Sequence, residues 1–534
     1  MSKNSLIIPE INESERTPLV RLLLDIIAKQ ARQIQLAKEQ IQALRDEIAV
    51  LKGQKPKPKI PKSRLEEKDK EKEKKANGNR RPGSVKRSKT EDLEIHKTVI
   101  LQPVDLLEGA VFKGYKDYTV QDLIIQPFNT KYRRERWLLP NGETVIASLP
   151  SEVTGHFGST LISYIQHQCN SSRVTEPLLL EQMYEIGIDI SSGELSAILI
   201  ENKEIFHEEK KDVLRAGLEV SKYVGVDDTG TRHKGKNGYC TCIESDLFTY
   251  FSSSESKSRS NFLGLLRVGY EDYIINEDSV AYMRQYNLCR DIIDLLINNP
   301  NKVFANKTEW QSHLVSLKIT TKRYTQIATE AALLGSATHH GLSCDLCIIS
   351  DDAGQFNILI HALCWVHMER IIHKLIGFND NGRAAIQSVR DQIWDLYKKL
   401  KAYKEHPEAK LRIELEAAFD SIFTQTTCFE TLNQTLKRIY KNKAELLRVL
   451  DYPDIPLHNN ECETDVREQV TKRNVSGGTR SVCGQLARDT FLSLKKTCRK
   501  LGLSFWKYLN DRNATVHNIP RLDQLIREHA ASKI

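Results

Sequence analysis

The stretch Tyr223–Ser253, YVGVDDTGTRHKGKNGYCTCIESDLFTYFSS, decides the fold of this chain. Tyr223–Asp228 is a short β-rich run that ends in two acidic residues. The sequence GKNG at Gly235–Gly238 indicates a hairpin, because Asn and Gly tolerate the positive φ of a tight turn. Tyr239–Ile243 and Phe248–Phe251 predict a second and a third strand. We therefore expect three consecutive short strands that open a sheet.

The first of these strands carries a pair of carboxylates, Asp227 and Asp228. Carboxylate oxygens suit hard cations such as Mg²⁺ and Mn²⁺. The pair therefore indicates a site for a divalent metal at the end of the strand. The alternative is a strand end that solvent surrounds, and the pair alone does not distinguish the two.

Length and composition restrict the class of protein. The chain has 534 residues, of which 40% are hydrophobic and 28% are charged. Its net charge of +8, with clustered Lys and Arg, favours an anionic partner, and nucleic acid is the first candidate. We expect no membrane association, because no apolar run reaches the roughly 18 residues that span a bilayer. The expected location is the cytoplasm, with association to the nucleoid when the protein binds DNA.

Residues 1–54 contain a predicted coiled-coil helix, Pro18–Gln54. A first seam repeats β-branched residues every seven positions, and these are Val20, Ile27, Ile34, Ile41 and Ile48. A second seam consists of Leu23, Gln30, Ala37, Leu44 and Leu51. This pattern favours a parallel two-stranded coil, so we expect self-association as a dimer or a higher oligomer. The alternative is a single amphipathic helix that packs on its own body.

Residues 55–95 are rich in Pro, Lys and mixed charges, and they predict a basic flexible linker.

Residues 96–156 predict a small β-rich module, with strands expected at Val120–Ile125, Trp137–Leu139 and Thr144–Leu149. Its basic patch includes Arg133, Arg134 and Arg136, beside Tyr132 and Trp137. These arginines are candidate contacts to DNA phosphates, and a solvated hairpin face is the alternative.

Residues 157–215 are predicted to be helical. Pro177–Met183 opens one helix, Gly187 marks a turn, and a second helix begins at Ser191 or Ser192 as its cap. This order is compatible with a helix-turn-helix that reads DNA. However, Ser, Glu and apolar residues dominate the second helix, whereas a reading helix usually carries Arg, Asn or Gln. A structural helical segment is therefore the alternative.

Residues 216–476 are expected to form one α/β domain with helical insertions at about 260–340 and 380–455. A fourth strand is predicted at Ser343–Ser350, followed by the acid pair Asp351 and Asp352 and by a helix at Ala362–Leu375. A late helix follows Pro456 and carries Glu463 and, one turn on, Arg467. Residues 477–534 form a C-terminal helical segment, including a predicted helix at Phe491–Leu509.

This order of elements describes a ribonuclease-H-like mixed sheet. Three antiparallel strands, a helix and a parallel fourth strand bring one acid from the first strand, one from the end of the fourth and one from a late helix to the same end of the sheet. Three carboxylates there hold two metal ions about 4 Å apart, which activate a water or a 3′-hydroxyl for phosphoryl transfer.

The amino-acid sequences of three motifs resemble those of the insertion-sequence-sixty-six family of DDE transposases. IPLHNNECETDVREQVTKRNVSG at Ile455–Gly477 is similar to the family's P-x-x-N-N-x-x-E-R-x-x-R helix and the basic turn after it. CWVHMERIIHKL at Cys364–Leu375 is similar to its Cys-Trp-x-His helix, and VDDTGTR at Val226–Arg232 to its first-acid strand. The resemblance extends from about Phe157 to Leu509.

The resemblance implies that Asp227, Asp351 and Glu463 are the catalytic acids and the ligands of Mg²⁺ (or Mn²⁺). Strand alternation favours Asp227 over Asp228. Other acids compete for the second and third positions, namely Asp352, Asp278, Glu461 and Asp465. The basic residues on and after the late helix, Arg467, Lys472 and Arg473, are candidate DNA contacts; for Arg467, an ion pair with Glu463 is the alternative.

Some features depart from the family. The region 96–150 has no cysteine, so we do not expect the family's zinc module there, and Thr464 replaces the Arg that follows the third acid. The long spacing between Asp227 and Asp351 implies an insertion within 260–340. The remaining cysteines are interpreted mostly as core residues, although His367 is a candidate neighbour of the active site.

These observations predict a DNA transposase that cuts at transposon ends and joins the 3′-hydroxyls to target DNA, with accessory proteins as possible partners. One alternative is a ribonuclease-H-like nuclease or resolvase without strand transfer. The other is a domesticated, non-catalytic DNA-binding protein.

Overall fold

A computed structural model describes residues 17–51, 93–102, 112–150, 152–153, 155–377 and 379–532. The predicted linker at 55–95 lies almost entirely outside the described residues. Within the described ranges, no helix combines the length and the apolar character needed to cross a membrane.

A mixed sheet of five strands lies at the centre of this α/β protein. Its strands are β3 (Tyr223–His233), β4 (Lys236–Glu244), β5 (Thr249–Ser254), β8 (Cys347–Ser350) and β9 (Ile360–Leu363). Their order across the sheet is β5-β4-β3-β8-β9. The first three strands pair antiparallel, whereas β8 and β9 run parallel to β3. The three strands expected from the opening stretch and the parallel fourth strand are therefore confirmed.

The hairpin between β3 and β4 turns earlier than predicted. His233 pairs with Lys236, so the two turn residues are Lys234 and Gly235, and both have positive φ, at 48° and 78°. Two successive residues of positive φ match the twist of the flanking strands. The GKNG signal was therefore in the right region, but Asn237 and Gly238 belong to the strand.

Four helices precede the sheet: α2 (Ser159–Asn170), α3 (Glu176–Glu185), α4 (Ser192–Ile200) and α5 (Glu204–Val220). The first three share a small core that includes Ile165, Met183 and Leu195. Ser191 caps α4 in a reciprocal pair of hydrogen bonds with Glu194, and Gly187 turns with φ 81°. The helical prediction for this segment is confirmed.

The first insertion, between β5 and β8, is mostly helical. It contains α6 (Arg259–Leu266), α7 (Glu277–Gln285), α8 (Arg290–Asn298), α9 (Lys307–Ser316) and α10 (Lys322–His339). A two-residue strand β6 (Tyr273–Ile274) pairs with β7 (Val303–Phe304). The insertion shares one hydrophobic core with the sheet face that carries Val224 and Val226.

Strand β9 was not predicted, because Ala362 and Leu363 were assigned to the following helix. That helix, α11, spans Trp365–His373. The second insertion follows as α12 (Asp380–Glu405), α13 (Ala409–Thr424), α14 (Glu430–Tyr440) and α15 (Lys443–Leu446), and it packs on a second core with Cys347 and Ile349 of β8.

The remaining helices are α16 (Asn460–Ser476), α17 (Val482–Lys500), α18 (Phe505–Asn513) and α19 (Leu522–Ala531). The single helix expected at Phe491–Leu509 is in fact two, because the chain turns at Gly502 with φ 71°. Helix α16 begins where expected, after Asn459.

The N-terminal part is less compact. Helix α1 spans Pro18–Leu51, and Leu23, Ile27 and Ile34 are all exposed by more than a third. In the predicted β-rich module, the described residues form one hairpin, of β1 (Arg136–Leu138) and β2 (Thr144–Ile146). The strand expected at Val120–Ile125 is wrong: this segment is irregular and exposed, and the described residues give it no partner strand.

A buried ion pair joins α5 to α18. Removal of one of its two charged side chains should therefore cause a large loss of stability. Glu209 is fully buried and accepts hydrogen bonds from Arg512 Nε and Nη2, both at 2.9 Å. Replacing Arg512 with Leu would leave a buried carboxylate uncompensated, which costs about 3–5 kcal/mol. Replacing Arg527 with Leu is the control, because Arg527 is 37% exposed and pairs with Glu219, which is 55% exposed, and with Asp523 one turn earlier on its own helix; such partly exposed pairs contribute at most about 1 kcal/mol each. Urea unfolding should therefore show a clear fall in the midpoint for Arg512→Leu alone; equal midpoints would contradict this account.

Candidate active site

Two acids lie at the same level of neighbouring parallel strands. Gly225 of β3 pairs with Ile349 of β8, and Asp227 and Asp351 each follow two residues later. Parallel strands carry their C-terminal ends to one edge of the sheet, where ligands of α/β proteins usually bind. Strand geometry therefore brings these two carboxylates to the same edge.

Helix α16 approaches the same strand through Asn459. The buried Asn459 Nδ2 donates to the Val226 carbonyl at 2.8 Å. There is no room for a side chain at Gly225, because an added Cβ would lie 2.5 Å from Asn459 Oδ1. Cys462 of α16 packs in a small core with Cys242, the cross-strand partner of Asp227. These contacts fix the first turn of α16 over the Asp227 face of the sheet.

The carboxylate of Asp227 lies in a negative, partly desolvated environment. The pKa of Asp227 is raised to about 6, chiefly by burial and also by the charges of Asp351 and Glu463, while the hydrogen bond from the Asp228 amide and the charge of His367 act in the opposite direction. The charges of both other predicted acids therefore act on Asp227.

Glu463 is compensated by cations of α11 and of its own helix. Arg370 Nη1 lies 3.1 Å from its Oε1, and His367 Nε2 lies 3.5 Å from the same oxygen. Arg467 Nη2 is 3.5 Å from Oε2, with 69% of its side chain exposed. Burial lowers the pKa of His367, but Cys364, Glu463 and Asp351 outweigh it and raise that pKa to about 9. His367, a candidate neighbour from the sequence, therefore does contact this cluster.

The rival acids for the first two positions have other partners. Asp228 accepts hydrogen bonds from Thr241 and from Gln355. Asp352 accepts from Asn442 at 3.3 Å. Asp278 lies on α7, where it accepts from Cys344.

The rivals for the third position also face elsewhere. Asp465 is buried and pairs with Lys496 at 2.8 Å and with Lys500 at 3.4 Å. Glu461 is exposed. The charge of Glu463, in contrast, contributes to the raised pKa of Asp227.

The loop that begins at Asp351 is held by the first insertion. Asp351 Oδ1 accepts from the Ala353 amide at 3.1 Å. Arg259 Nη2 donates to the Gly354 carbonyl, and Tyr286 Oη donates to the Asn357 carbonyl at 2.7 Å. Sequence reasoning missed this role, because Arg259 and Tyr286 lie far from the loop along the chain.

A cavity of about 530 Å³ opens beside Asp351, between α11 and α14. Its charged lining includes Arg370 of α11, Lys374 directly after α11, and Arg438 of α14. Sequence analysis did not identify these cations as site residues. The sequence offers only a weak indication of this cluster, namely the i, i+4 spacing of Arg370 and Lys374. Arg438 lies in the second insertion, and the sequence of that insertion does not show that it packs over β8 and β9.

The side chains predicted to contact DNA differ in whether they are free to bind a phosphate. Lys472 is buried, and its ammonium donates to the Cys169 carbonyl at 2.6 Å, so it is not free to bind a phosphate. Arg473 Nη1 donates to the Gly230 carbonyl. The hairpin arginines Arg133, Arg134 and Arg136 are exposed, and Arg134 also donates to Ala147.

No disulfide forms among the described cysteines. Cys240, Cys242, Cys347 and Cys364 are buried, in agreement with their interpretation as core residues, whereas Cys344 is exposed. In the part of the chain that the structure describes, no group of three or more His, Cys, Asp or Glu side chains is already arranged to hold a metal ion. The ion pairs of Glu463 with Arg370 and His367 offer a reason, since they occupy its carboxylate.

Comparison with known proteins gives two matches. Residues 303–486 are similar to the family model described as "Transposase IS66 family". A protein of Sinorhizobium fredii (strain NBRC 101917 / NGR234), described as "Uncharacterized protein y4jO", is 42% identical over 302 residues. That alignment covers 56% of this chain and 94% of the relative.

The hydrogen bond from Tyr286 to the Asn357 carbonyl predicts a local change in the Asp351 loop when Tyr286 is replaced by Phe. The Phe variant removes one hydrogen bond, worth about 1 kcal/mol, so amide exchange in residues 353–357 should accelerate roughly five- to tenfold. Tyr270→Phe is the control, because Tyr270 stacks on His340 and does not touch this loop. Hydrogen–deuterium exchange with peptide resolution measures both variants. Unchanged exchange in Tyr286→Phe would contradict a stabilising role for this hydrogen bond.

Proposed function

Because this chain belongs to the IS66 family of transposases, we propose that it cuts DNA at transposon ends and transfers the 3′-hydroxyl ends to target DNA. The family implies DNA as the substrate. The observation that carries the proposed chemistry is the placement of Asp227 and Asp351 at the same edge of the paired strands β3 and β8, with the first turn of α16, which leads to Glu463, tied to β3 by Asn459.

We assign the catalytic domain to residues 216–476 and its core to the ribonuclease-H-like class. The sheet order β5-β4-β3-β8-β9, with three antiparallel strands followed by two parallel ones, supports this assignment. So does the position of α16, whose first turn is tied to the strand that carries Asp227.

The donor set fits a divalent cation such as Mg²⁺ or Mn²⁺. Hard cations prefer carboxylate oxygens, and the raised pKa of Asp227 indicates that its charged form lacks positive compensation. Asp227, Asp351 and Glu463 would hold the metal. When bound, divalent metal activates a water or a 3′-hydroxyl and stabilises the leaving oxygen in an in-line displacement.

Arg370 and His367 have a defined role in this proposal. In the present arrangement they neutralise Glu463, which prevents mutual repulsion among three acids. His367 carries a positive charge near neutral pH, because its pKa is about 9. With Glu463 engaged as a metal ligand, Arg370 and His367 would be free to contact a phosphate oxygen of the substrate. They would then orient the scissile phosphate and disperse its charge.

Replacing Glu463 with Gln should abolish both cleavage and joining while DNA binding stays nearly intact. The variant keeps the shape of the side chain but removes an anionic oxygen pair, and metal stabilisation of phosphoryl oxygens is worth several kcal/mol, so a rate loss of at least about a thousandfold is expected. The assay follows strand cleavage and strand joining on DNA that contains the transposon end, with Mg²⁺ present.

Glu461→Gln is the matched control, because Glu461 lies on the same helix and is exposed. It should retain nearly normal rates. Loss in Glu461→Gln with normal cleavage in Glu463→Gln would overturn the assignment. Cleavage without joining in the parent protein would favour a nuclease or resolvase, and binding without cleavage would favour a non-catalytic DNA-binding protein.

We also propose that α1 mediates self-association. The exposed apolar side chains of Leu23, Ile27 and Ile34 along α1 support a seam that a second copy covers. A protein that starts near Thr90 should therefore have a lower oligomeric state than the full chain in light scattering. An unchanged state would place the interface elsewhere.

A further inference from the structure

The cavity beside Asp351 has the size of a small-ligand site. Its volume of about 530 Å³ falls within the roughly 300–1,000 Å³ of typical ligand pockets. A DNA duplex is far too wide to enter a space of this size, because even its major groove is about 12 Å wide. The cavity therefore suits one nucleotide that has left the base stack.

The lining of the cavity divides into an apolar part and a cationic part. Met368, Ile371 and Ile439 contribute apolar surface, and Lys374 and Arg438 contribute positive charge. A nucleotide has the same two parts, since its base has apolar faces and its phosphate is anionic. Flipped or unstacked bases are commonly held between aromatic or apolar side chains.

The two cations are available to a ligand. Lys374 and Arg438 are both exposed, and neither makes an ion pair or a side-chain hydrogen bond with any residue that the structure describes. Their neighbours differ: Lys443 pairs with Asp420, and Arg448 lies 3.7 Å from Asp451. Two unpaired cations, one directly after α11 and one on α14, thus face one cavity.

We propose that this cavity binds one unpaired nucleotide of the substrate DNA, adjacent to the phosphate at which the strand is cut. The base lies against Met368, Ile371 and Ile439, and the phosphate contacts Lys374 and Arg438. Asp351 and His367 also line the cavity, so the bound nucleotide is next to the catalytic acids. The inference rests on the proposed function, and it assigns to the second insertion the role of holding an end of the DNA strand.

Binding without catalysis tests this inference. Full-length protein is titrated against a fluorescent 20-base-pair duplex with a three-nucleotide single-stranded 3′ extension, and against the same duplex with blunt ends. The buffer contains no divalent metal, so the result does not depend on cleavage. The parent protein should bind the extended duplex at least about fivefold more tightly, because base–protein contacts add to the phosphate contacts that both duplexes share.

Arg438→Gln should reduce this preference to less than about twofold. The matched control is Lys437→Gln, which removes the same charge from the adjacent, exposed position on α14 but does not line the cavity. For the extended duplex, Arg438→Gln should also lower the slope of log affinity against log salt by about 1, as expected for one lost phosphate contact. Circular dichroism verifies that both variants are folded.

Each outcome has a consequence. An equal loss of preference in both variants would mean that general charge, and not the cavity, holds the extension. A parent protein that binds both duplexes equally would also overturn the cavity site while leaving the proposed transposase function standing. A parent protein that binds neither duplex would overturn the proposed function itself.

Discussion

The hydrogen bond from Asn459 to the carbonyl of Val226 is the contact on which the arrangement of the site depends. It joins a late helix to the first strand across more than two hundred residues of chain. It is possible only because residue 225 is Gly, since any Cβ there would collide with the Asn459 amide and with Glu244. A buried amide must satisfy its hydrogen-bonding groups, so the first turn of α16 has little freedom to rotate or slide. Glu463 follows one turn later.

The acids that this contact brings together repel one another, and the fold compensates them from a different element. Helix α11 begins directly after the edge strand β9 and supplies His367 and Arg370 to Glu463. Asp227 forms no such ion pair with the residues that the structure describes, and burial together with its acidic neighbours raises its pKa. The site is therefore held in a state in which one acid is neutralised by protein cations and another retains a tendency to bind a proton.

Sequence reasoning found the elements whose signal is local. The β-rich runs and the hairpin signal identified β3, β4 and β5, and α16 was expected after Pro456. It failed where the outcome depends on tertiary contacts. Ala362 and Leu363 were assigned to a helix because their apolar run has no period, yet they pair with β8. Val120–Ile125 has strand-like residues but lacks a described partner strand, so propensity alone does not make it a strand. Lys472 looked like a free cation, although it is buried against the Cys169 carbonyl. For the acids, alternation and helix geometry distinguished Asp227 from Asp228, but the partners of Asp278 and Asp352 had to come from the structure.

The burial of Lys472 has a mechanical consequence. Its ammonium ties α16 to the end of α2, and Asn513 of α18 donates to Ser163 and Gln166 of the same helix. The helical segment at 157–200 is thus fastened to the helix that carries Glu463 and to the C-terminal helices. It does not behave as an independent module on a tether. A displacement of this segment would therefore strain its contacts with α16, the helix that carries Glu463.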